Sequence, residues 1–227
     1  MGKKINPKIF RIKQNRDWES RWFALKNYSK FLKQDIEIKR YIEKKLEGAF
    51  VSHVEIERTA KALNIMIYAA RPGVIIGRGG AGIEALKKDI SRKILKYNKK
   101  LKLNINIKEV SNPNLDASII AEYIKLDIEK RIPFRRAIKQ ALGKAEKAGA
   151  KGVKIMVAGR LNGAEIARSE KLLSGKLPLQ TFRADMDYAF KEAHTIYGLI
   201  SIKVWIYKGE VFDKKEKKEN NKKVQDK

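Results

Sequence analysis

The residues best placed to do chemistry in this chain form a glycine loop and the basic helix behind it. After the apolar run Val74-Ile75-Ile76 the sequence reads Gly77-Arg78-Gly79-Gly80, and the spacing then predicts a helix whose apolar residues Ile83, Leu86, Ile90, Ile94 and Tyr97 recur every three or four positions. The opposite side carries Lys87, Lys88, Arg92, Lys93 and Lys96. Glycines let backbone N–H groups and a helix N-terminus approach an anion, and the flanking lysines add cations, so the chemistry implied is non-covalent binding of a phosphate backbone. The binding residues expected here are Gly77, Arg78, Gly79, Gly80, Lys87 and Lys88. Formally, Gly77-x-Gly79-x-x-Gly82 also satisfies the dinucleotide fingerprint, with Glu109 as the ribose acid. That reading fails because Arg71-Pro72-Gly73 breaks the chain where a strand is required, and Glu109 lies beyond the expected spacing of about twenty residues. No Lys-Ser or Lys-Thr follows the glycines, which excludes a P-loop. The plain alternative is a glycine helix start that serves packing alone.

A second group of cations lies downstream. In the helix predicted from Phe134 to about Ala148, the residues Arg135, Arg136 and Lys139 share one edge beside an apolar side of Phe134, Ile138, Ala141, Leu142, Ala145 and Ala148. No acid stands three or four residues away to neutralise them. Arg160, Arg168, Lys171 and Arg183 fall in loops and a polar ribbon, where basic side chains reach phosphate most easily. The acidic constellation that could hold a catalytic metal is Asp185, Asp187, Glu192 and His194. Along an unbroken strand the two aspartates face one way and the other two residues the opposite way, so a metal-dependent nuclease centre is not assembled and local charge balance is the simpler account. His53 sits in the polar phase of its strand and reads as an exposed histidine. With 2 histidines and no cysteine there is little material for acid–base, zinc or disulfide chemistry. No enzyme, cofactor, metal or small-molecule substrate is expected.

Composition points the same way. The 227 residues carry 52 Lys+Arg against 26 Asp+Glu, a formal net charge of +26, which calls for a polyanionic partner. A hydrophobic fraction of 43% provides for a real core, divided between two domains at this length. No apolar run approaches the roughly 20 residues needed to span a membrane, and the start MGKKINPK lacks the apolar core of a signal peptide, so a cytoplasmic place is expected.

The elements that must position these groups follow from periodicity. A basic arm, residues 1–27, mixes cations with Trp18, Trp22 and Phe23 and is expected to order on a partner. A helix is predicted from Tyr28 to Glu47, with Leu32, Ile36, Tyr41, Ile42 and Leu46 inward and Gly48 as its stop. Two alternating strands, carrying Val54 and Ile56 and then Leu63, Ile65, Ile67 and Ala69, make a hairpin around Ala60; after the glycine loop and its helix comes a third strand with Leu101, Leu103, Ile105 and Ile107 inward. Asn112-Pro113 is read as linker and helix cap, and Ile119, Ile120, Tyr123, Ile124 and Ile128 stripe the next helix. Pro133 separates it from the Arg135 helix, which Gly149 ends. Strands then carry Val153, Ile155 and Val157; Ala184, Met186, Tyr188 and Phe190; and Ile200, Ile202, Val204 and Ile206. From Lys214 to Lys227 the tail holds seven lysines against three acids and is disordered by composition.

The order helix, strand, strand, glycine loop, helix, strand over residues 28–110 resembles a type II KH domain, with Gly77-Arg78-Gly79-Gly80 at its G-x-x-G loop. That resemblance implies a clamp on about four nucleotides. Family loops often carry two bulky basic residues between the glycines, whereas this one has Arg78 followed by Gly79. The run from Arg135 to Glu210, beginning RRAIKQALGKAEKAG and ending SIKVWIYKGE, closely resembles the C-terminal domain of the bacterial-type small-subunit ribosomal protein three family, and MGKKINP resembles that family's start. The resemblance implies a structural constituent of the small-subunit head in the cytoplasmic ribosome, bound to small-subunit ribosomal RNA and to neighbouring head proteins. It also implies a place at the mRNA entry channel, where Arg135, Arg136 and Lys139 match basic residues that help open structured message. A free-standing KH regulator of RNA is the competing reading. The expected fold is α+β: a KH domain with a three-stranded sheet and helices at 28–110, an antiparallel sheet backed by two helices at 111–210, and a basic tail at 211–227.

Overall fold

The structure, a computed structural model, describes residues 4–59, 61–95 and 101–212. The hairpin turn expected at Ala60, the helix residues Lys96 and Tyr97, and the lysine tail lie outside the described residues. The chain forms two compact units, one running from Trp18 to Glu122 and the other combining the residues up to Asp17 with those from Tyr123 onward.

In the first unit, β2 (Val51–Arg58) and β3 (Ala62–Ala69) pair antiparallel, β3 pairs parallel with β4 (Lys102–Glu109), and α1 (Tyr28–Lys45) and α3 (Ala81–Lys93) lie on the sheet. Alternation does what period two requires: Leu63, Ile65, Ile67 and Ala69 are all buried while Asn64, Met66 and Tyr68 are not. The sheet has four strands, not the three expected, because β1 (Ser20–Arg21) runs parallel to β2 with Ser20 opposite Ile56. Two residues are too few to show an alternation.

The inward face of α1 also differs from the expected stripe. Leu32 and Ile36 are exposed, and the buried positions are Asp35, Ile38 and Ile42, with Leu46 just beyond the helix. Asp35, 2% exposed, occupies an apolar position because its partners satisfy it there: Trp22 Nε1 donates to Oδ2 at 2.7 Å, and Arg58 Nε and Nη2 donate to Oδ1 at 2.9 and 2.6 Å. The arm's Trp22 therefore finds its partner within this unit, packed also against Phe31 and Tyr28. His53 is half-buried, its ring stacked on Tyr68 at 4.2 Å, so the strand face read as open is partly covered.

Helix α4 (Ala117–Glu129) is capped by Asp116, not by Asn112-Pro113, which instead opens a single 3-10 turn, Pro113–Leu115. Asp116 Oδ1 accepts from the N–H groups of Ser118 (2.9 Å) and Ile119 (3.2 Å), and its Oδ2 from the Ser52 hydroxyl. Asp116→Ala is expected to lower stability by about 1 kcal/mol, read as an earlier urea midpoint with an unchanged slope.

In the second unit, β5 (Gly152–Gly159), β6 (Arg168–Gly175), β7 (Ala184–Thr195) and β8 (Gly198–Glu210) form an antiparallel sheet of order β6-β5-β8-β7, with α5 (Phe134–Lys147) packed on β5 and β6. One face, carrying Val153, Ile155, Val157, Ile202, Val204 and Ile206, is fully buried. β7 buries residues on both of its faces: Ala184 and Met186 of the expected phase are packed with Leu177 and Leu179, and Asp187, Ala189 and Ala193 are buried on the side of Ile206, Val204 and Ile200, while Phe190 of the expected phase is 45% exposed. A register shift between Asp185 and Met186 leaves Lys208 of β8 without a partner, so it interrupts β8 and not the alternation along β7.

The residues before Trp18 are ordered inside this unit. Arg11, 1% exposed, donates through Nη1 to the Pro7 carbonyl (2.7 Å) and through Nη2 to those of Leu179 (2.9 Å) and Thr181 (2.8 Å). Asn15 Nδ2 donates to the Phe182 carbonyl at 3.0 Å, and Phe10 meets Phe182 edge to face. Lys8 and Arg16 reach Asp187 at 2.8 and 3.5 Å, and Arg16 also reaches Asp185 at 3.5 Å. Burial pushes the Asp187 carboxyl up, but Lys8, Arg16 and Lys208 more than offset that and hold it at about 2.

Candidate nucleic-acid interface

The glycine loop is the turn between two helices. Before it stands a short helix, α2 (Pro72–Ile76), where a dinucleotide site would need a strand. Gly77, Gly79 and Gly80 all have positive φ (69°, 58° and 82°), which side-chain-bearing residues adopt at a cost, so the glycines here are a backbone requirement. Gly82 has a different role, since a Cβ there would come within 2.3 Å of the Ile75 carbonyl oxygen; its hydrogen lets α2 and α3 touch. The first residue before α3 is Gly80, so no side chain caps the N-terminal N–H groups of that helix. Inward, α3 is pinned by Leu86 and Ile90, with Leu95 just after it buried as well. Lys87, Lys88, Arg92 and Lys93 are exposed, and Lys93 stands over the Tyr41 ring at 4.8 Å. Arg78, Lys87 and Lys88 have no acidic partner among the described residues.

In the other unit Arg135, Arg136 and Lys139 are all exposed on α5. The expectation that nothing neutralises them is corrected for one: Arg135 Nε and Nη2 donate to the two carboxylate oxygens of Glu170 at 3.1 and 2.9 Å. Glu170 lies on β6, thirty-five residues away, so helical spacing could not reveal it. The pairing lowers the Glu170 pKa and raises that of Arg135, each chiefly through this hydrogen bond. Both side chains, with Arg168, Phe134 and the Leu161–Ala164 turn, line an open groove of about 400 Å³.

The remaining cations separate. Arg168 shares the Glu170 side of β6, and Lys171 points to the opposite face of the sheet. Arg160 Nε donates to the Ala164 carbonyl at 3.0 Å, and its guanidinium stands 5.7 Å from the Tyr197 ring. Arg183 is paired with Glu210 at 3.1 Å. Asp185 and Asp187 are bound to arm cations, while the backbone N–H of His194 donates to Glu129, so the four residues of the acidic constellation do not converge. Lys154 on β5 was not singled out by sequence. Its ammonium sits 5.1 Å over the Trp205 ring, and burial, followed by the charges of Lys4 and Lys171, lowers its pKa.

These features define a basic KH-domain protein with a second α+β unit. Residues 37–115 match the family described as KH domain, and residues 124–206 match Ribosomal protein S3, C-terminal domain. Small ribosomal subunit protein uS3 of Caldicellulosiruptor saccharolyticus is 50% identical over 95% of this chain and 96% of its own length. The uS3 protein of Ligilactobacillus salivarius is 48% identical over 98% of this chain and 99% of its own, and uS3c of Guillardia theta is 50% identical over 92% and 96%. The chain belongs to the ribosomal protein S3 (uS3) family.

Proposed function

We propose that this chain is a structural, non-enzymatic constituent of the small ribosomal subunit in the cytoplasmic ribosome and that it binds ribosomal RNA through its KH unit. The observation that carries this is the near-complete overlap with proteins named for the small subunit, joined to a KH match that contains the glycine loop. In this reading Gly77, Arg78, Gly79 and Gly80 present N–H groups to the backbone while Lys87 and Lys88 face it from α3. Arg160, Arg168, Lys171 and Arg183 add contacts from the second unit. Arg135, Arg136 and Lys139 border the mRNA entry channel and hold message strands apart, and neighbouring head proteins complete the surroundings.

Stoichiometric co-sedimentation with small subunits at moderate salt is the test. A free-standing KH regulator would instead travel with a subset of transcripts. For the loop, full-length protein carrying Arg78→Asp and Gly79→Asp should bind a short single-stranded RNA at least tenfold more weakly, while its melting temperature falls only by the small strain of a side chain at the positive φ of Gly79. No atom lies within 4 Å of a Cβ added at Gly79, and aspartate tolerates the left-handed conformation better than most residues. An unchanged affinity would make the loop a packing device.

A further inference from the structure

The sheet of the second unit has its apolar face against helices; its other face is covered at Ala184, Met186 and Tyr207 by Leu177 and Leu179, and beyond them it carries rings and ammonium groups. Two cross-strand rows run over it. In one, Tyr188, Trp205 and Lys154 are direct neighbours on β7, β8 and β5; in the other, Phe190 pairs with Lys203, and Met156 joins Lys203 to Lys171. The rows lie two residues apart along the strands, about 7 Å, a separation that one extended nucleotide bridges. Lys154 stands 5.1 Å over the Trp205 ring and Lys203 5.9 Å from the Phe190 ring, while Tyr188 and Trp205 have centroids 5.3 Å apart.

We infer that this face is a second RNA surface, which takes unpaired nucleotides by stacking their bases on Phe190, Tyr188 and Trp205 while Lys154, Lys203 and Lys171 meet the phosphates. Charge complementarity selects that occupant. Against the three lysines, the outward positions of these strands hold two acids, Glu192 and Glu210, and Glu210 is already paired with Arg183, so a protein laid here would have to bring its own carboxylates and also match the rings. A single RNA strand supplies a regular anion and a flat apolar group with every residue, which is what alternating ammonium groups and rings accommodate. Duplex RNA hides its bases and should gain little from the rings.

The test uses the full chain carrying Arg78→Asp and Gly79→Asp, so that loop binding is reduced, and measures anisotropy of a labelled uridine hexamer. Phe190 is the cleanest probe because it is 45% exposed and outside the core. Phe190→Leu should weaken the hexamer about tenfold, Phe190→Tyr should retain it, and neither should alter the melting temperature or binding of an equal-length duplex. Lys203→Gln should reduce the logarithmic salt slope by about 0.7. Hexamer binding that is absent in the loop variant, or identical in Phe190→Leu and its parent, overturns the inference. So does a Phe190→Leu chain that binds RNA normally but fails to enter small subunits, which would make the face a protein-docking surface. The KH reading fails separately, if the loop aspartates alone change nothing.

Discussion

Asp187→Leu is expected to destabilise the C-terminal unit by roughly 3–5 kcal/mol, the largest loss of any single substitution considered for this protein. The carboxylate is 3% exposed, yet it is the common partner of Lys8 and Arg16, two residues of the segment that also inserts Arg11. Removing it leaves cations beside an apolar side chain, and breaking a buried pair from one side costs far more than the pair contributes as a whole. The distinguishing control is Lys8→Met with Arg16→Met in the Asp187→Leu background, which removes the stranded charges and should recover much of the loss. Denaturant unfolding followed by far-UV dichroism measures both. The same group makes stability depend on acid. Its folded pKa of about 2 lies below the ordinary 3.8, so its contribution of about 2 kcal/mol is full above pH 4 and disappears as pH falls through about 2. Asp187→Leu should lose that part of the acid sensitivity. An unchanged midpoint in the single variant would show that the segment up to Asp17 is not held by these ion pairs.

Period two and period 3.6 carried the strands and helices, because Leu63 to Ala69 and Ile200 to Ile206 alternate cleanly against buried faces. The failures share a physical cause: each depends on a polar group whose partner is remote in sequence. Asp35 displaced Leu32 and Ile36 from the α1 interface because Trp22 and Arg58 satisfy it. Arg135 looked unneutralised because Glu170 approaches from another element. Partial cover of a sheet face is equally silent: Ala184, Met186, Tyr188 and Phe190 share one face, but only its Ala184 end is packed against Leu177 and Leu179. The glycine loop was legible because positive φ and close helix approach are written in residue type, whereas the ring and lysine rows on the sheet exist only once β5, β7 and β8 are in register.

The Arg135–Arg136–Lys139 edge yields the second large effect, expected in translation. Changing all three to alanine removes charge without touching Phe134, Ala137 or Ile138, which hold α5 to the sheet, and alanine favours the helix, so folding and subunit incorporation should survive. If these cations hold separated strands of an incoming message, ribosomes carrying the triple variant should read an unstructured message near normally. They should cross a stable downstream hairpin roughly tenfold more slowly, the scale of losing a few exposed charge contacts to phosphate. Glu170 sharpens the test. It occupies the Nε–Nη2 edge of the Arg135 guanidinium, so a phosphate that docks on that edge must displace a carboxylate. Glu170→Gln keeps the shape and removes the competing charge, and should therefore speed hairpin crossing where the triple alanine variant slows it. Equal rates for wild type and both variants on the hairpin message, measured one codon at a time, would reduce the edge to a solvated helix face; a Glu170→Gln chain as slow as the triple variant would instead mean that the carboxylate positions Arg135 for its work.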